Sequence, residues 1–371
     1  MLVLVANLGS TSFKYKLLDM DLDGEVVARG GYERIGQKDA PYKSHADVID
    51  VLLKELKHKP DAIGFKAVHG GPISGAVRVT DDVLKTMQEF ADVAPAHNPA
   101  YIAAMKAFEA RLPGVPQVAA FETAFHQTIP MSRQVYAIPH AWTEDFGVRR
   151  YGFHGASHRF IAMRMQELLG KDGSRRIISC HLGGSCSICA IEHGKSVANS
   201  MGLTPQSGVF HNNRVGDFDI YAMLRLSHHG LSLDEVLKKL CKEGGLLGIS
   251  GISNDMRDVE RAANQGDARA KLAIEAFVES VRHFIGAYLV VLGGCDALVF
   301  TGGIGENGTA IRQAVCRDME FAGIALDEAK NHVHGQEQKV SKVESSAEIW
   351  VVPTNEELIV AMQTVAVLSA N

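Results

Sequence analysis

The chain has 371 residues, a formal net charge of −5 and 22% charged residues. A chain of this length predicts about two domains, each with its own core. No block of lysine or arginine residues supplies the positive surface that nucleic acid or an anionic membrane requires, so we expect a small-molecule partner. No membrane span is expected, because Gly293, Gly294 and Asp296 interrupt the longest apolar segment, residues 284–300.

The cysteines and the first residues favour a cytoplasmic location. Four of the six cysteines lie inside apolar segments, which is typical of reduced thiols and not of a disulfide framework. Residues 1–5 lack a basic flank and lead directly into the first predicted turn, so we expect no signal peptide.

The first half of the chain predicts a mixed sheet flanked by helices. Its predicted elements are strands at 2–6, 12–18 and 25–31, a helix at 45–57, and strands at 62–69 and 115–121. Thr80 and Asn98 are expected to be the N-caps of two further helices, the second with Pro99 at its first position. The last strand ends at Glu122.

The second half repeats this order from about residue 125. Its predicted elements are a helix at 155–169, strands at 177–181, 185–192 and 195–200, helices at 217–228, 232–241, 254–264 and 267–292, a strand at 297–301, a turn at 302–307 leading into a helix, a strand at 349–352, and a helix from about 355. No linker separates the halves, so we expect domains that pack closely around a cleft.

Two corners with the same outline lie between predicted strands. Residues 5–13 and 179–187 each place a polar residue, Leu and Gly before three small residues. A tight turn of small residues exposes backbone N–H groups that can hold a phosphate. The repeat predicts a duplicated domain with two phosphate sites facing one cleft.

Eight short motifs, in order along the chain, carry a resemblance to a known family. They occupy residues 7–12, 68–71, 97–99, 123–127, 151–155, 200–205, 302–307 and 355–357. The chain resembles the acetate and propionate kinases, of the superfamily that includes sugar kinases, Hsp70 and actin. The resemblance implies a two-domain actin-like ATPase (ribonuclease H-like) α/β fold, in which duplicated mixed β-sheets are flanked by helices and an active-site cleft lies between the domains. It also implies a domain of residues 1–124 plus 355–371 and a nucleotide-binding domain of residues 125–354.

The resemblance further implies transfer of the γ-phosphoryl group of ATP to a short-chain carboxylate, with ATP/ADP and Mg²⁺ as cofactors and a homodimer as the assembly. Arg214 would stabilise the in-line transition state, His154 would bind the transferring phosphoryl group, and His97 would lie beside the acceptor. Glu122 would align the metal or the phosphoryl group. Asn7 and Glu356 would hold phosphate and Mg²⁺.

The remaining residues implied by the resemblance fall into two sets. The acceptor pocket would consist of Lys66, Val68, Ala96, Phe153 and Pro205. The nucleotide would contact Ser10, Ser12, Lys14, His181, Gly183, Gly184, Ser185, Asp255, Met256, Arg257, Gly302, Gly303, Ile304, Gly305, Glu306 and Asn307.

Departures from the family pattern cluster around the acceptor. Lys66 replaces the usual arginine, Glu122 the usual aspartate and Ala96 the usual leucine, so a somewhat larger acid than acetate is one expectation. On the nucleotide side, Gly184 replaces an asparagine.

Two alternatives stay open at this point. One is a kinase on the same scaffold that uses pyrophosphate or a non-carboxylate acceptor, and the other is a non-catalytic nucleotide sensor. Retention of Arg214, His154 and Asn7 argues against the sensor. Three residues also have purely structural interpretations: a salt bridge for Arg214, a core hydrogen bond for His154, and a favourable helix-dipole contact for Glu356.

Overall fold

Two six-stranded mixed sheets form the framework of the molecule. The structure is a computed structural model that describes residues 1–73, 75–95 and 97–370. The strands of the first sheet are β1 (Leu2–Leu8), β2 (Ser12–Asp19), β3 (Glu25–Glu33), β4 (Ala62–Ala67), β5 (Ala76–Arg78) and β6 (Gln117–Phe121). Those of the second sheet are β7 (Arg176–Leu182), β8 (Cys186–Glu192), β9 (Lys195–Asn199), β10 (Ala297–Thr301), β11 (Gln338–Lys339) and β12 (Glu348–Val351).

The two sheets share one topology. The first has the order β3-β2-β1-β4-β6-β5 and the second β9-β8-β7-β10-β12-β11. In each sheet an antiparallel meander of three strands is continued by two parallel strands and closed by a short antiparallel edge strand. The predicted fold class and its duplication are confirmed. The sequence did not predict β5 and β11, because strands of three and two residues show no alternation.

Helices cover both sheets and connect their strands. They are α1 (His45–Glu55), α2 (Asp81–Glu89), α3 (Asn98–Arg111), α4 (Met131–Gln134), α5 (His140–Phe146), α6 (Gly155–Gly173), α7 (Ala222–His228), α8 (Leu233–Lys242), α9 (Gly245–Ser250), α10 (Met256–Asn264), α11 (Ala268–Leu292), α12 (Gly302–Asn307), α13 (Thr309–Cys316) and α14 (Glu356–Ser369). In the described part of the chain, no helix has the length and apolar character needed to cross a bilayer.

Three local predictions need correction. Asn98 is not an N-cap: it is the first residue of α3, and its buried Nδ2 donates hydrogen bonds to the carbonyls of His69 and Met87 at 3.0 and 2.9 Å. The helix predicted at 217–228 begins only at Ala222, because Asp219 accepts a hydrogen bond from the backbone of Tyr221 in a competing local turn. Residues 302–307 are not a turn before a helix but the helix α12 itself.

Apolar side chains on both faces of the central strands bury each sheet between helices. On β1, Leu4 faces the core that α1 and α3 share, whereas Val3 and Val5 face the core of α14. On β7, Ile178 packs into the core that includes α11, whereas Ile177 packs against α6. Each half is therefore a three-layer unit of helix, sheet and helix.

The last helix returns to the first sheet. Helix α14 packs against β1, β4 and β6, and also against α6 of the other half. Gly64 on β4 permits this approach, because a Cβ atom there would meet Thr364 Oγ1 of α14 at 2.4 Å. This packing supports the predicted grouping of residues 355–371 with residues 1–124, which stays a prediction. It also places Glu356, the first residue of α14, beside Lys66 near the carboxyl end of β4.

A buried arginine fixes the position of α12. Arg312 on α13 is fully buried, and its guanidinium donates to Gly305 O at 2.8 Å, Asn331 Oδ1 and O at 2.7 Å each, and Val333 O at 2.9 Å. Burial lowers the pKa of Arg312 to about 10, so the side chain remains a cation. The guanidinium ties α12 to the segment at 331–333 without a carboxylate partner among the described residues.

We expect Arg312→Met to destabilise the protein by about 3 kcal/mol or more, because several buried carbonyl groups lose their donor together. Chemical denaturation monitored by circular dichroism measures the loss. Arg317→Met is the matched control, since that side chain is 69% exposed and pairs only with the exposed Asp318. A change within about 0.5 kcal/mol is expected there, and an equally small change in the Arg312 variant would contradict this assignment.

Candidate active site

A cavity of about 270 Å³ lies between the two sheets and is lined by both halves of the chain. The predicted site residues on its wall are Asn7, Ser12, Lys14, Lys66, Val68, His97, Glu122, Phe153, His154, Ser185, Pro205 and Arg214. Leu8, Gly9 and Tyr101 also line it. These three residues were not predicted; Leu8 and Gly9 belong to the first corner, but no local signal marks Tyr101.

The topology of the first sheet explains why distant residues meet here. Strands β1, β4 and β6 are parallel neighbours, so their carboxyl ends lie at one edge of the sheet. Asn7 is next to last on β1, Lys66 is next to last on β4, and Glu122 directly follows β6. The backbone N–H of Glu122 donates to Ala67 O at 2.8 Å, which fixes the start of the loop after β6.

Lys66 lies between two glutamates. Its Nζ is 3.4 Å from Glu122 Oε1 and donates a hydrogen bond to Glu356 Oε2, in the first turn of α14. The three side chains are 14%, 7% and 13% exposed, so this ion cluster is largely out of water. Lys66 lines the cavity as expected for an acceptor-binding residue, but its ammonium group already contacts two carboxylates.

The two carboxyl groups respond differently to burial. Burial raises the pKa of Glu122 to about 7, although the Lys66 ammonium opposes the shift. Burial also acts to raise the pKa of Glu356, but the Lys66 ammonium prevails and holds it below its ordinary value. The two groups therefore differ in protonation near neutral pH.

Several carboxylate oxygens of this cluster lack a hydrogen-bond donor. Among the described residues, neither oxygen of Glu122 is hydrogen-bonded, nor is Glu356 Oε1. Unsatisfied buried oxygens of this kind suit a hard cation. No group of three or more His, Cys, Asp or Glu ligands occurs in the part of the chain described. The protein would thus supply only part of a coordination shell, which is typical of Mg²⁺ bound together with phosphates and water.

Arg214 projects into the same cavity without a carboxylate partner. Its Nη1 donates to Ser185 Oγ at 3.4 Å, and its backbone carbonyl accepts a hydrogen bond from His211 at 3.0 Å. It forms no ion pair with any described residue. Burial lowers the pKa of Arg214, because a cation is less stable away from water. An anion bound in the cavity would compensate this desolvation cost. The salt-bridge interpretation of Arg214 is therefore wrong.

His154 is held by a hydrogen-bonded chain beneath the cavity. Its Nδ1 is 2.8 Å from Ser187 Oγ, and the same hydroxyl is 2.8 Å from His158 Nε2. His181 stacks on His154 with ring centroids 4.2 Å apart and pairs with Ser157. Burial lowers the pKa of His154 well below its ordinary value, so the ring is neutral. A neutral imidazole has one donor and one acceptor nitrogen, and Nδ1 is already paired with the Ser187 hydroxyl, so Nε2 is the nitrogen left for a ligand.

The backbone of His154 is in the left-handed region, with φ of 57° and ψ of 33°. A non-glycine residue adopts this conformation at an energetic cost, and such residues concentrate at functional sites. His97, which precedes α3, also lines the cavity. Burial, aided by the charges of Arg214 and Lys66, lowers the pKa of His97 to about 4. Both histidines therefore face the cavity as neutral groups.

A second cavity, of about 700 Å³, adjoins the corner after β7. Its predicted wall residues are Gly183, Gly184, Asp255, Met256, Arg257, Gly303, Ile304 and Asn307. Asn212, Glu260, Gly308 and His334 complete the wall and were not predicted. Because Gly183 and Gly184 face this cavity and Ser185 faces the smaller one, the corner runs between the two.

Some of the predicted site residues are not on the wall of either cavity. Ser10 is exposed, whereas Gly302 and Gly305 are buried behind the second cavity. The Glu306 carboxylate accepts hydrogen bonds from Gly302 N and Thr354 N at 2.9 and 3.3 Å, which is a structural contact. His181 lies behind His154 and on neither cavity wall. Ala96 lies outside the described residues.

The profile of the acetokinase family matches residues 2–362. The chain belongs to the acetokinase family. The acetate kinase of Carboxydothermus hydrogenoformans is 42% identical over an alignment of 393 positions, which covers 98% of this chain and 98% of that protein. The crystal structure of Porphyromonas gingivalis acetate kinase has a TM-score of 0.90 to this chain at 39% identity, with 99% of both chains covered. The crystal structure of a propionate kinase from Francisella tularensis has a TM-score of 0.92 to this chain at 38% identity. The match covers 98% of this chain and 99% of that one.

The resemblance drawn from the eight motifs is therefore confirmed. This acetokinase is an ATP-dependent carboxylate kinase that forms an acyl phosphate.

The raised pKa of Glu122 gives the stability of this acetokinase a distinctive pH dependence. The folded protein holds the Glu122 proton more tightly than the unfolded chain does, because burial raises that pKa from its ordinary value of 4.5 to about 7. Its contribution to stability is present below about pH 4.5 and is lost as the pH rises through about 7.

Glu122→Gln lacks this dependence. Relative to the wild type, its free energy of unfolding should therefore rise by about 2 kcal/mol between pH 5 and pH 8. Urea denaturation of both proteins across this range measures the difference. Glu344→Gln, at an exposed position without an ion-pair partner in the described chain, serves as control. If the difference in free energy of unfolding between Glu122→Gln and the wild type were the same at every pH, the Glu122 carboxyl group would titrate outside this range.

Proposed function

We propose that the protein transfers the γ-phosphoryl group of ATP directly to acetate or a somewhat larger short-chain acid, with Mg²⁺ and within the cleft. The observation that carries this proposal is the pair of adjoining cavities. The 270 Å³ cavity suits a small acid and a phosphoryl group, and the 700 Å³ cavity suits a nucleoside. Pyrophosphate would leave the larger cavity unused, so the second cavity favours ATP as donor.

The acid would bind at the apolar part of the smaller cavity, with its alkyl group against Val68, Phe153 and Pro205. Its carboxylate oxygen attacks the γ-phosphorus in line as the bond to ADP breaks. Negative charge spreads over the transferring oxygens, and groups fixed in advance stabilise it without reorganisation. Arg214 supplies a cation, and neutral His154 donates from Nε2. His97 lies beside the acid as a neutral group.

Glu122, Glu356 and the Asn7 amide would hold Mg²⁺ together with phosphate oxygens. The unsatisfied oxygens of the two glutamates support this assignment. The ion would offset the charge of the nucleotide phosphates. Glu356 is additionally favoured at the N-terminus of α14 by the helix dipole, which is compatible with metal binding.

The nucleotide would lie along the 183–185 corner, near Ser12 and Lys14 on the phosphate side and with its base toward Asp255, Met256, Arg257 and α12. Gly184 lacks the side-chain amide found in the family, but a Cβ atom there would lie 3.9 Å from Asn212 Nδ2. Asn212 Oδ1 is buried without a hydrogen-bond partner in the described chain. We expect Asn212 to supply the contact that Gly184 cannot.

The decisive experiment incubates the enzyme with Mg²⁺, ATP and a panel of short carboxylates, and traps acyl phosphates as hydroxamates. We expect turnover of acetate, propionate or butyrate, and little when pyrophosphate replaces ATP. Arg214→Ala should lower kcat by about a hundredfold or more, since it removes a transition-state cation. Arg214→Lys should recover part of this loss.

Arg29→Ala is the control for charge removal, because Arg29 is exposed on β3 and lines neither cavity. If no acid is phosphorylated while ATP still binds, the kinase proposal fails and a sensor role gains support. Full activity in Arg214→Ala would instead remove Arg214 from the mechanism.

We also propose a cytoplasmic homodimer. All six cysteines are free thiols, as expected in a reducing compartment. Several apolar side chains around α7 and α8 are exposed, which is typical of a contact surface: Phe218, Ile220, Tyr221, Leu224, Leu233 and Leu237. Sedimentation velocity should give twice the chain mass of 40.1 kDa.

The double variant Ile220→Glu and Leu224→Glu should shift the protein to monomers. Val343→Glu should not, because Val343 is 94% exposed and lies outside this surface. A wild-type monomer at micromolar concentration would contradict the proposal.

A further inference from the structure

Lys66 has two possible partners, the acid and a pair of glutamates, and its ammonium group cannot serve both at once. The family resemblance places its ammonium group beside the acid, yet in the structure Lys66 Nζ contacts Glu122 and Glu356. These are the same carboxylates that would bind Mg²⁺. The ammonium group and the metal ion would therefore be two cations at the same pair of carboxyl groups, and each would weaken the attraction of the pair for the other.

Charge balance shows why the acid cannot simply join this cluster. The Lys66 ammonium group is shared between Glu356 and Glu122, and all three side chains are mostly buried. An acid that drew this ammonium group away would leave the two glutamates without a cation in a site of low polarity. The acid can therefore take up Lys66 only when another cation replaces it beside the glutamates.

We propose that Lys66 is an exchangeable cation, which neutralises Glu122 and Glu356 until the metal–nucleotide complex binds and is then released to hold the carboxylate of the acid. This inference rests on the proposed function. It makes the binding of acid and of metal–nucleotide mutually cooperative, because each favours the arrangement in which Lys66 has left the glutamates.

The identity of the residue suits this exchange. Lysine carries a point charge on a flexible four-carbon stem, whereas arginine has a rigid planar fork that holds a carboxylate through two bonds. The backbone of Lys66 is fixed in β4, where it pairs with Ala120 of β6. Only the side chain needs to move, and it already lines the cavity that would receive the acid.

Removing the lysine charge should separate the two binding events. Lys66→Met leaves Glu122 and Glu356 without their internal cation, so the metal–nucleotide complex should bind more tightly. The acid should bind more weakly and independently of the metal. Lys16→Met is the matched control: Lys16 pairs with Glu357, the neighbour of Glu356, at 3.0 Å but contacts neither glutamate of the cluster.

The experiment uses Mn²⁺ and ADP, which permit binding without turnover of acetate. Electron paramagnetic resonance of free Mn²⁺ measures metal binding, and calorimetry measures acetate binding with ADP alone and with Mn²⁺ plus ADP. In the wild type, Mn²⁺ should tighten acetate binding by about fivefold or more. In Lys66→Met this ratio should fall to about one while Mn²⁺ binds about fivefold more tightly. Lys16→Met should keep the wild-type ratio.

The wild-type measurement tests the proposal even if Lys66→Met fails to fold. An acetate affinity that is the same with and without Mn²⁺ overturns it, as does a Lys66→Met protein that retains the coupling or binds Mn²⁺ more weakly. The hydroxamate assay keeps the two proposals apart. An enzyme that makes acyl phosphate without this coupling contradicts only the role of Lys66, whereas absence of acyl phosphate with intact coupling contradicts the function.

Discussion

The buried ion cluster of Lys66, Glu122 and Glu356 determines how the two ends of this chain are organised. A lysine in β4 and a glutamate after β6 reach the same sheet edge because their strands are parallel neighbours. Glu356 joins them only because α14 packs back across the first sheet. Removing one member would leave a buried charge uncompensated, so the cluster couples the position of the last helix to the geometry of the cleft.

The duplicated fold has two similar corners, one after β1 and one after β7, but different side chains surround them. The corner after β1 lies beside Lys66 and Glu122, so cations and carboxylates surround it. The corner after β7 runs between the two cavities, with Gly183 and Gly184 on one side and Ser185 on the other. Similar backbone shapes can thus serve the acceptor and the donor sides of one reaction, because the neighbouring side chains decide which ligand each corner meets.

Local patterns predicted the parts of the fold that depend on local forces. The central strands, apolar on both faces, and the repeated order of elements followed from the sequence alone. The prediction that Asn98 is an N-cap was wrong. An Asn-Pro pair is typical of a helix start, but the Asn98 amide is buried because it donates to the carbonyls of His69 and Met87. No local pattern could show that Lys66 contacts Glu356, because 290 residues separate them. The motifs identified most residues of the smaller cavity but not their partners.

Two of the three departures at the acceptor side, Lys66 and Glu122, are best understood as one change. Lysine in place of arginine loses the forked guanidinium, and glutamate in place of aspartate extends the facing carboxylate by one methylene. In the structure the two side chains face each other, with Lys66 Nζ 3.4 Å from Glu122 Oε1. A point charge on a flexible stem and a longer acid can meet across the site without a fixed two-pronged geometry. This is the kind of contact that an exchange of cations at Glu122 would require.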